Sequence, residues 1–310
     1  MEFKLVVTEQ YDGREIRDIM SKELQMSRNM IKKCKLYGTV ELNGVHARVI
    51  DPAHTGDVLL CAYADDSGML RQDTGINIVY EDEYLAVVDK PAGMVTHPTH
   101  GHLDDSLLTL LSNSELPLHP VMRLDRETSG LLIIAKNGYT HNAMKNANIQ
   151  KKYLAAVYGI YDPSEGTINA AIRRRPNSIM IRDICPDSDP EGHPSITHYK
   201  TLLVHESDNT SLMEFTLETG RCHQIRVHSL SQGHPLIGDG LYGPNSVDNP
   251  CDDFENSLEL DALVGRQCLH AYSLSFYHPI LNQEMAFVSD LPEDIRRVFP
   301  EFDLKSVRNK

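Results

Sequence analysis

The sequence predicts an α+β protein: a small α/β unit over 1–63, a linker over 64–76, a larger unit over 77–302 built on a central, mostly antiparallel sheet, and a tail over 303–310. Three observations predict it. Helical periodicity and a strong hairpin turn both occur within the first 63 residues. Short apolar strands with interspersed helices fill the rest. No internal repeat and no strand–helix–strand rhythm is present, which argues against a doubly wound sheet.

In chain order, "FKLVV" forms a short strand, and Ile16, Ile19, Met20 and Leu24 then recur at helical spacing. Ser27 caps a second helix that stops at Gly38, read as an ordinary C-terminal glycine. Asn43-Gly44 makes a hairpin turn and "DVLLCAY" a closing strand. Residues 64–76 are polar and aperiodic, hence a linker. "INIVYEDEYLAVVDKPAG" reads as two strands closed by a Pro-Gly turn, and "THNAMKNANIQKKY", 140–153, as a helix. "YLAAVYGIY", "TLLVHES" and "SLMEFTLETG" read as strands, and so does "GRCHQIRVH", 220–228. "DLPEDIRRVF" reads as a helix with acids early and arginines late, complementing its own dipole.

Composition narrows the class. A hydrophobic content of 41% fits a globular chain, and the apolar run "LLIIA" is far too short to span a bilayer. The first residues lack the pattern of a signal peptide, and six scattered cysteines form no CxxC pair. A cytoplasmic, membrane-free monomer with reduced thiols is expected. A net charge of −14 argues against a nucleic-acid partner in bulk, but the charge is segregated. Residues 247–261 carry six carboxylates and no base, whereas 21–38 carry Lys22, Arg28, Lys32, Lys33 and Lys35 against one glutamate.

Four stretches bear chemistry. They are "DEYLAVVDKPAGMVTHP", "HPVMRLDRETSGLLIIAKN", "KKYLAAVYG" and "TGRCHQIRVHSLSQGHPLIGDGLYG". In the second, Asp125 sits between Arg123 and Arg126 and runs into Thr128, Ser129, Gly130 and an apolar strand. Taken alone it fits either a surface ion-pair cluster or a carboxylate held ionised for chemistry. In order and spacing, and together with "RQCLHAYSLSF" at 266–276, these stretches resemble the RluA/RluD-type pseudouridine synthases, which modify ribosomal or transfer RNA. The resemblance spans roughly 77–300. Residues 1–63 resemble the small αL RNA-binding domain first seen in a ribosomal protein.

The resemblance implies roles. Asp125 takes the place of the family's nucleophile, Arg226 that of the arginine paired with it, and Tyr153 that of the active-site tyrosine. Tyr153 would stack on the uracil, its hydroxyl being a candidate in removing the carbon-5 proton. Arg123 holds the position implicated in displacing the target nucleotide, and Arg126 is expected to contact phosphate. Arg221, His223 and Gln224, together with Arg28, Lys32, Lys33 and Lys35, are expected to bind RNA. One departure is Met122, where the family usually has histidine. Neither metal nor other cofactor is expected, because the spacing of His97, His100 and His102 matches no common zinc pattern. "GDGLYG", 238–243, reads as a turn. Two rival readings are an RNA-binding assembly factor without catalysis and a carboxylate glycosidase, which would need a second acid.

Overall fold

The structure, a computed structural model, describes residues 1–64, 68–113, 117–247, 254 and 256–305. The first part holds strands β1 (Glu2–Val6), β2 (Arg14–Glu15), β3 (Thr39–Leu42), β4 (Val45–His46), β5 (Pro52–Ala53) and β6 (Val58–Ala62). Helices α1 (Ile16–Lys22) and α2 (Arg28–Tyr37) accompany them. A four-stranded sheet runs β1-β6-β3-β4, and Ile16, Ile19, Met20, Met30, Leu59 and Cys61 belong to a core of its own. Ser27 caps α2 by accepting the Met30 N–H at 3.3 Å. Gly38 is required for a different reason from the one expected. Its φ of −123° is not left-handed, but a Cβ there would meet the Ala62 carbonyl oxygen at 2.1 Å.

The larger part contains β7 (Asn77–Glu81), β8 (Leu85–Lys90), β9 (His119–Pro120), β10 (Ser129–Ala135), β11 (Gln150–Tyr158) and β12 (Glu165–Asn169). It continues with β13 (Ala171–Arg174), β14 (Arg182–Cys185), β15 (Ile196–His205), β16 (Thr210–Leu217), β17 (Leu269–His278) and β18 (Gln283–Val288). Helices α3 (Leu107–Leu111), α4 (Gly138–Lys145), α5 (Gln224–Ser231), α6 (Ser257–Val264) and α7 (Glu293–Arg296) surround them. The main sheet runs β12-β15-β16-β11-β17-β10-β8-β7, with β18 beside β17 and β9 beside β10. Its β10–β17 pair is parallel, and the other ladders are antiparallel. Alternate residues of β11 feed opposite cores: Ala155 and Val157 on one face, Leu154, Ala156 and Tyr158 on the other. β10 is buried along its whole length, which is why its sequence is a continuous apolar run. Gly130 (φ +113°) lets β10 close on β17, since a Cβ would lie 2.3 Å from the Ala271 carbonyl oxygen.

Several expectations need correction. The helix expected over 140–153 ends at Lys145, because Gln150–Lys152 join the ladder of β11 with β17. Residues 224–231 are a helix, not a strand. Gln224 through Ser229 are buried all round, so the sequence shows no helical stripe there, and the alternation of Ile225 and Val227 mimics a strand. Part of the expected linker is docked: Gly68 N–H donates to the Lys136 carbonyl at 2.7 Å, and Leu70 is buried. Leu304, placed in the tail, is also buried in a core. Four of the six carboxylates of the acidic stretch 247–261 lie outside the described residues. Within it, Asp261 accepts from Tyr158 Oη at 2.6 Å and from the Gly238 N–H at 2.5 Å, so that carboxylate braces a turn. Among the described residues no helix is long and apolar enough to cross a membrane.

Candidate active site

The loop between β9 and β10 carries Arg123, Asp125 and Arg126, and buried polar groups from three other segments grip it. Thr96 Oγ1 donates to the Leu124 carbonyl at 3.0 Å and accepts its N–H at 3.2 Å. The ammonium of Lys90, at the end of β8, donates to the carbonyls of Pro91 and Met94 at 2.8 Å and of Arg126 at 3.0 Å. Arg266 Nη1 donates to the Glu127 carbonyl at 2.7 Å, and its Nη2 to Ser129 Oγ at 3.1 Å and Asp294 Oδ1 at 3.0 Å. Gln267 Nε2 donates to Thr128 Oγ1 at 2.8 Å. Leu124, Arg126, Glu127, Thr128 and Ser129 are thus all tied down around Asp125. That accounts for the Thr-Ser-Gly sequence: two side chains take clamps and the glycine admits the neighbouring strand.

Asp125 opens into a cavity of about 660 Å³ shared with Arg123, Lys151, Tyr153 and Arg221. Arg226, on α5 and 4% exposed, donates from Nη1 to Asp125 Oδ2 at 3.2 Å. Its stronger partner is Asp239, which accepts from Nε and Nη2 at 2.6 Å each. The guanidinium also lies 4.9 Å from the Tyr242 ring centroid. Burial opposes the charge on Arg226, but the hydrogen bonds and charge of Asp239, followed by Asp125, leave its pKa raised. Tyr153, on β11, is 7% exposed; burial and then the charge of Asp125 push its hydroxyl pKa well up, so it stays protonated at neutral pH. Burial, and then the charge of Arg266, bring Lys90 down to about 7.

The remaining site residues divide. Arg123, Arg126 and Arg221 are exposed; Arg126 pairs with Glu127 at 2.7 Å and Arg221 Nε reaches the Pro194 carbonyl at 3.3 Å. Arg28, Lys32, Lys33 and Lys35 are exposed on α2 and do not line the cavity at Asp125, and Lys33 Nζ lies 5.8 Å from the Tyr63 ring centroid. His223 is not a surface residue: its Nε2 lies 3.8 Å from Asp125 Oδ2 and its Nδ1 is 2.8 Å from Tyr242 Oη. Gln224 is 2% exposed and satisfied internally. Its amide oxygen accepts from Thr219 and the Arg221 N–H, and its amide nitrogen donates to Ile196 and Thr197. Those bonds brace the 219–221 turn and leave no side-chain donor or acceptor for RNA. Met122 packs against two apolar clusters. His97, His100 and His102 form no ligand set among the described residues; the group of that kind found there is Asp125, Cys222 and His223. The sequence reading gave no role to Lys90, Thr96, Asp239, Arg266 or Gln267. The signal for Asp239 lay inside "GDGLYG", read for its glycines alone.

A carboxylate against a buried arginine, in an open cavity rimmed by further arginines, defines an enzyme acting on an anionic substrate. Residues 84–231 match the family described as RNA pseudouridylate synthase. An uncharacterized RNA pseudouridine synthase of Bacillus subtilis, YjbO, is 32% identical over 89% of this chain and 95% of its own. Ribosomal large subunit pseudouridine synthase D of Buchnera aphidicola is 34% identical over 93% and 94%. The solved human RNA pseudouridylate synthase domain containing 4 superposes with a TM-score of 0.52 at 25% identity, covering 71% of this chain and 90% of that one. The chain belongs to the RNA pseudouridine synthases, of the RluA/RluD type. It is an isomerase whose substrate is RNA.

Proposed function

We propose that the chain isomerises uridines of ribosomal RNA, those of the large subunit foremost, with Asp125 as nucleophile. The observation that carries this reading is the clamped loop that presents Asp125 to the cavity with Arg226 at 3.2 Å and Tyr153 beside it. The reaction breaks the bond between N1 of uracil and C1′ of ribose, turns the base, and joins C5 to C1′. The C5 proton then leaves and N1 gains one, so the product is an isomer of the substrate. The Asp125 carboxylate attacks or stabilises C1′ as the base departs, and Arg226 fixes its orientation. Tyr153 walls the uracil with its ring. Its strongly raised pKa favours that role over a resident base for the C5 proton. Arg123 and Arg221 meet phosphates at the rim, and the exposed cations of α2 make residues 1–63 an RNA-holding module.

Ribosomal RNA is favoured over transfer RNA because several similar proteins bear the name ribosomal large subunit pseudouridine synthase D. A cytoplasmic site of action goes with that substrate. Pseudouridine mapping in total RNA from cells with and without the gene tests the proposal. Loss of specific large-subunit positions supports it, and loss confined to transfer RNA refutes the ribosomal assignment.

A further inference from the structure

Asp125, Cys222 and His223 offer a carboxylate oxygen, a thiol sulfur and an imidazole nitrogen that all lie within 4.8 Å of one another. Successive residues of an extended chain point to opposite sides. The left-handed backbone of His223, φ 59°, breaks that alternation at the start of α5. Cys222 is an exposed free thiol. His223 is held by Tyr242, whose Oη lies 2.8 Å from Nδ1.

We propose that these three residues form an inhibitory site for a thiophilic divalent cation, zinc foremost, which stops the enzyme by occupying Asp125. The donor set is of the kind zinc takes: one sulfur, one nitrogen and one carboxylate oxygen, with an open cavity leaving a fourth position to water. Ligand arms of about 2.0–2.3 Å require donor atoms somewhat closer than their present spread, so the exposed Cys222 side chain has to turn toward the other two for the ion to be held. Coordination at Nε2 of His223 sets the tautomer in which Nδ1–H donates to Tyr242 Oη, an outer contact that orients the ring. The thiol gives its proton to solvent on binding, so thiolate and carboxylate together match the charge of the cation.

Three arginines, Arg123, Arg182 and Arg226, act on these ligands, and the one hydrogen-bonded to Asp125 leaves room for a cation. Arg226 directs Nε and Nη2 to Asp239 at 2.6 Å each and only Nη1 to Asp125, at 3.2 Å. Its charge is therefore matched chiefly by Asp239, and the Asp125 carboxylate keeps capacity for a second partner. Inhibition rests on the reading of Asp125 as nucleophile; metal binding does not.

Cobalt titration of chelator-treated protein, with absorption as readout, tests the site without RNA. The parent should show a thiolate-to-cobalt charge-transfer band at one equivalent of Co²⁺, removed by Zn²⁺ and by substrate RNA. Cys222→Ala should lack the band and keep the parent's metal-free turnover. It should also need at least about tenfold more Zn²⁺ for half-inhibition, the scale on which lost metal-site contacts are felt. An unchanged band in Cys222→Ala, or equal zinc sensitivity in parent and variant, overturns the site. A band that depends on Cys222, with full turnover in zinc-saturated protein, overturns the inhibitory action, whereas the role of Asp125 as nucleophile is read separately from the turnover of Asp125→Asn.

Discussion

Asp239→Asn tests whether the buried partner of Arg226 organises the active site. The Asp239 side chain is fully buried; it takes two hydrogen bonds from Arg226 at 2.6 Å and two more from the N–H groups of Leu241 and Tyr242 at 3.0 and 3.1 Å. Asparagine keeps the shape and one acceptor. Its NH₂ group, however, must face a guanidinium N–H in either orientation, and in one of them the two backbone N–H groups as well, and the charge of Arg226 loses its main counterpart. Removing one member of a buried ion pair costs about 3–5 kcal/mol. At about 2–4 °C per kcal/mol for a large domain, the melting temperature should fall by about 10 °C. Arg226 should also leave its place on Asp125, and a misplacement of about 1 Å near the chemistry lowers turnover about 100-fold. The assays are thermal unfolding and single-turnover tritium release from carbon-5-labelled RNA below the variant's melting range. A variant that melts with the parent and turns over at the parent's rate would refute the assignment of Asp239 as the anchor of Arg226.

Two further outcomes follow from the clamped loop and the basic helix. Lys90 has a folded pKa near 7 against an ordinary 10.5, so between those values the unfolded chain binds the extra proton and the parent gains stability as pH rises. Relative to Lys90→Met, the parent should gain about 2 kcal/mol from pH 7 to pH 9 in denaturant titrations, the slope rising to about 1.4 kcal/mol per unit once the folded group is neutral; a constant difference contradicts the assigned titration. Lys32, Lys33 and Lys35 changed together to glutamine should raise the Michaelis constant and flatten the salt dependence by about 0.7 log units per lost contact with single-stranded RNA, leaving turnover at saturation unchanged. An unchanged salt slope would show that α2 is a solvated face.

What was legible in the sequence is what local pattern encodes. Ser27 as a cap, the Asn43-Gly44 turn, and the strands around Leu85–Lys90, Ser129–Ala135 and Thr210–Leu217 all follow from neighbouring residues. Asp125, Tyr153 and Arg226 were singled out through the family resemblance, and the fold brings them to one place. The grip on the loop was not legible, because its partners are remote: Lys90 is 36 residues from Arg126, and Arg266 is 137 from Ser129. Helix α5 was misread for a related reason. A helix buried on every side has no polar face, so its period leaves no trace. Gln224 looked like a recognition residue because its amide is polar, yet burial turns that polarity inward onto the 219–221 turn.

Substitution of Asp125 by asparagine tests the central claim most directly. The change is nearly isosteric at a half-buried side chain, so the loop clamped by Lys90, Thr96 and Arg266 should persist and RNA affinity should stay within a few-fold of the parent. Tritium release from carbon-5-labelled uridine in substrate RNA, with binding measured on the same preparation, is the measurement. The account predicts bound RNA and no release. Substantial turnover by Asp125→Asn would contradict it.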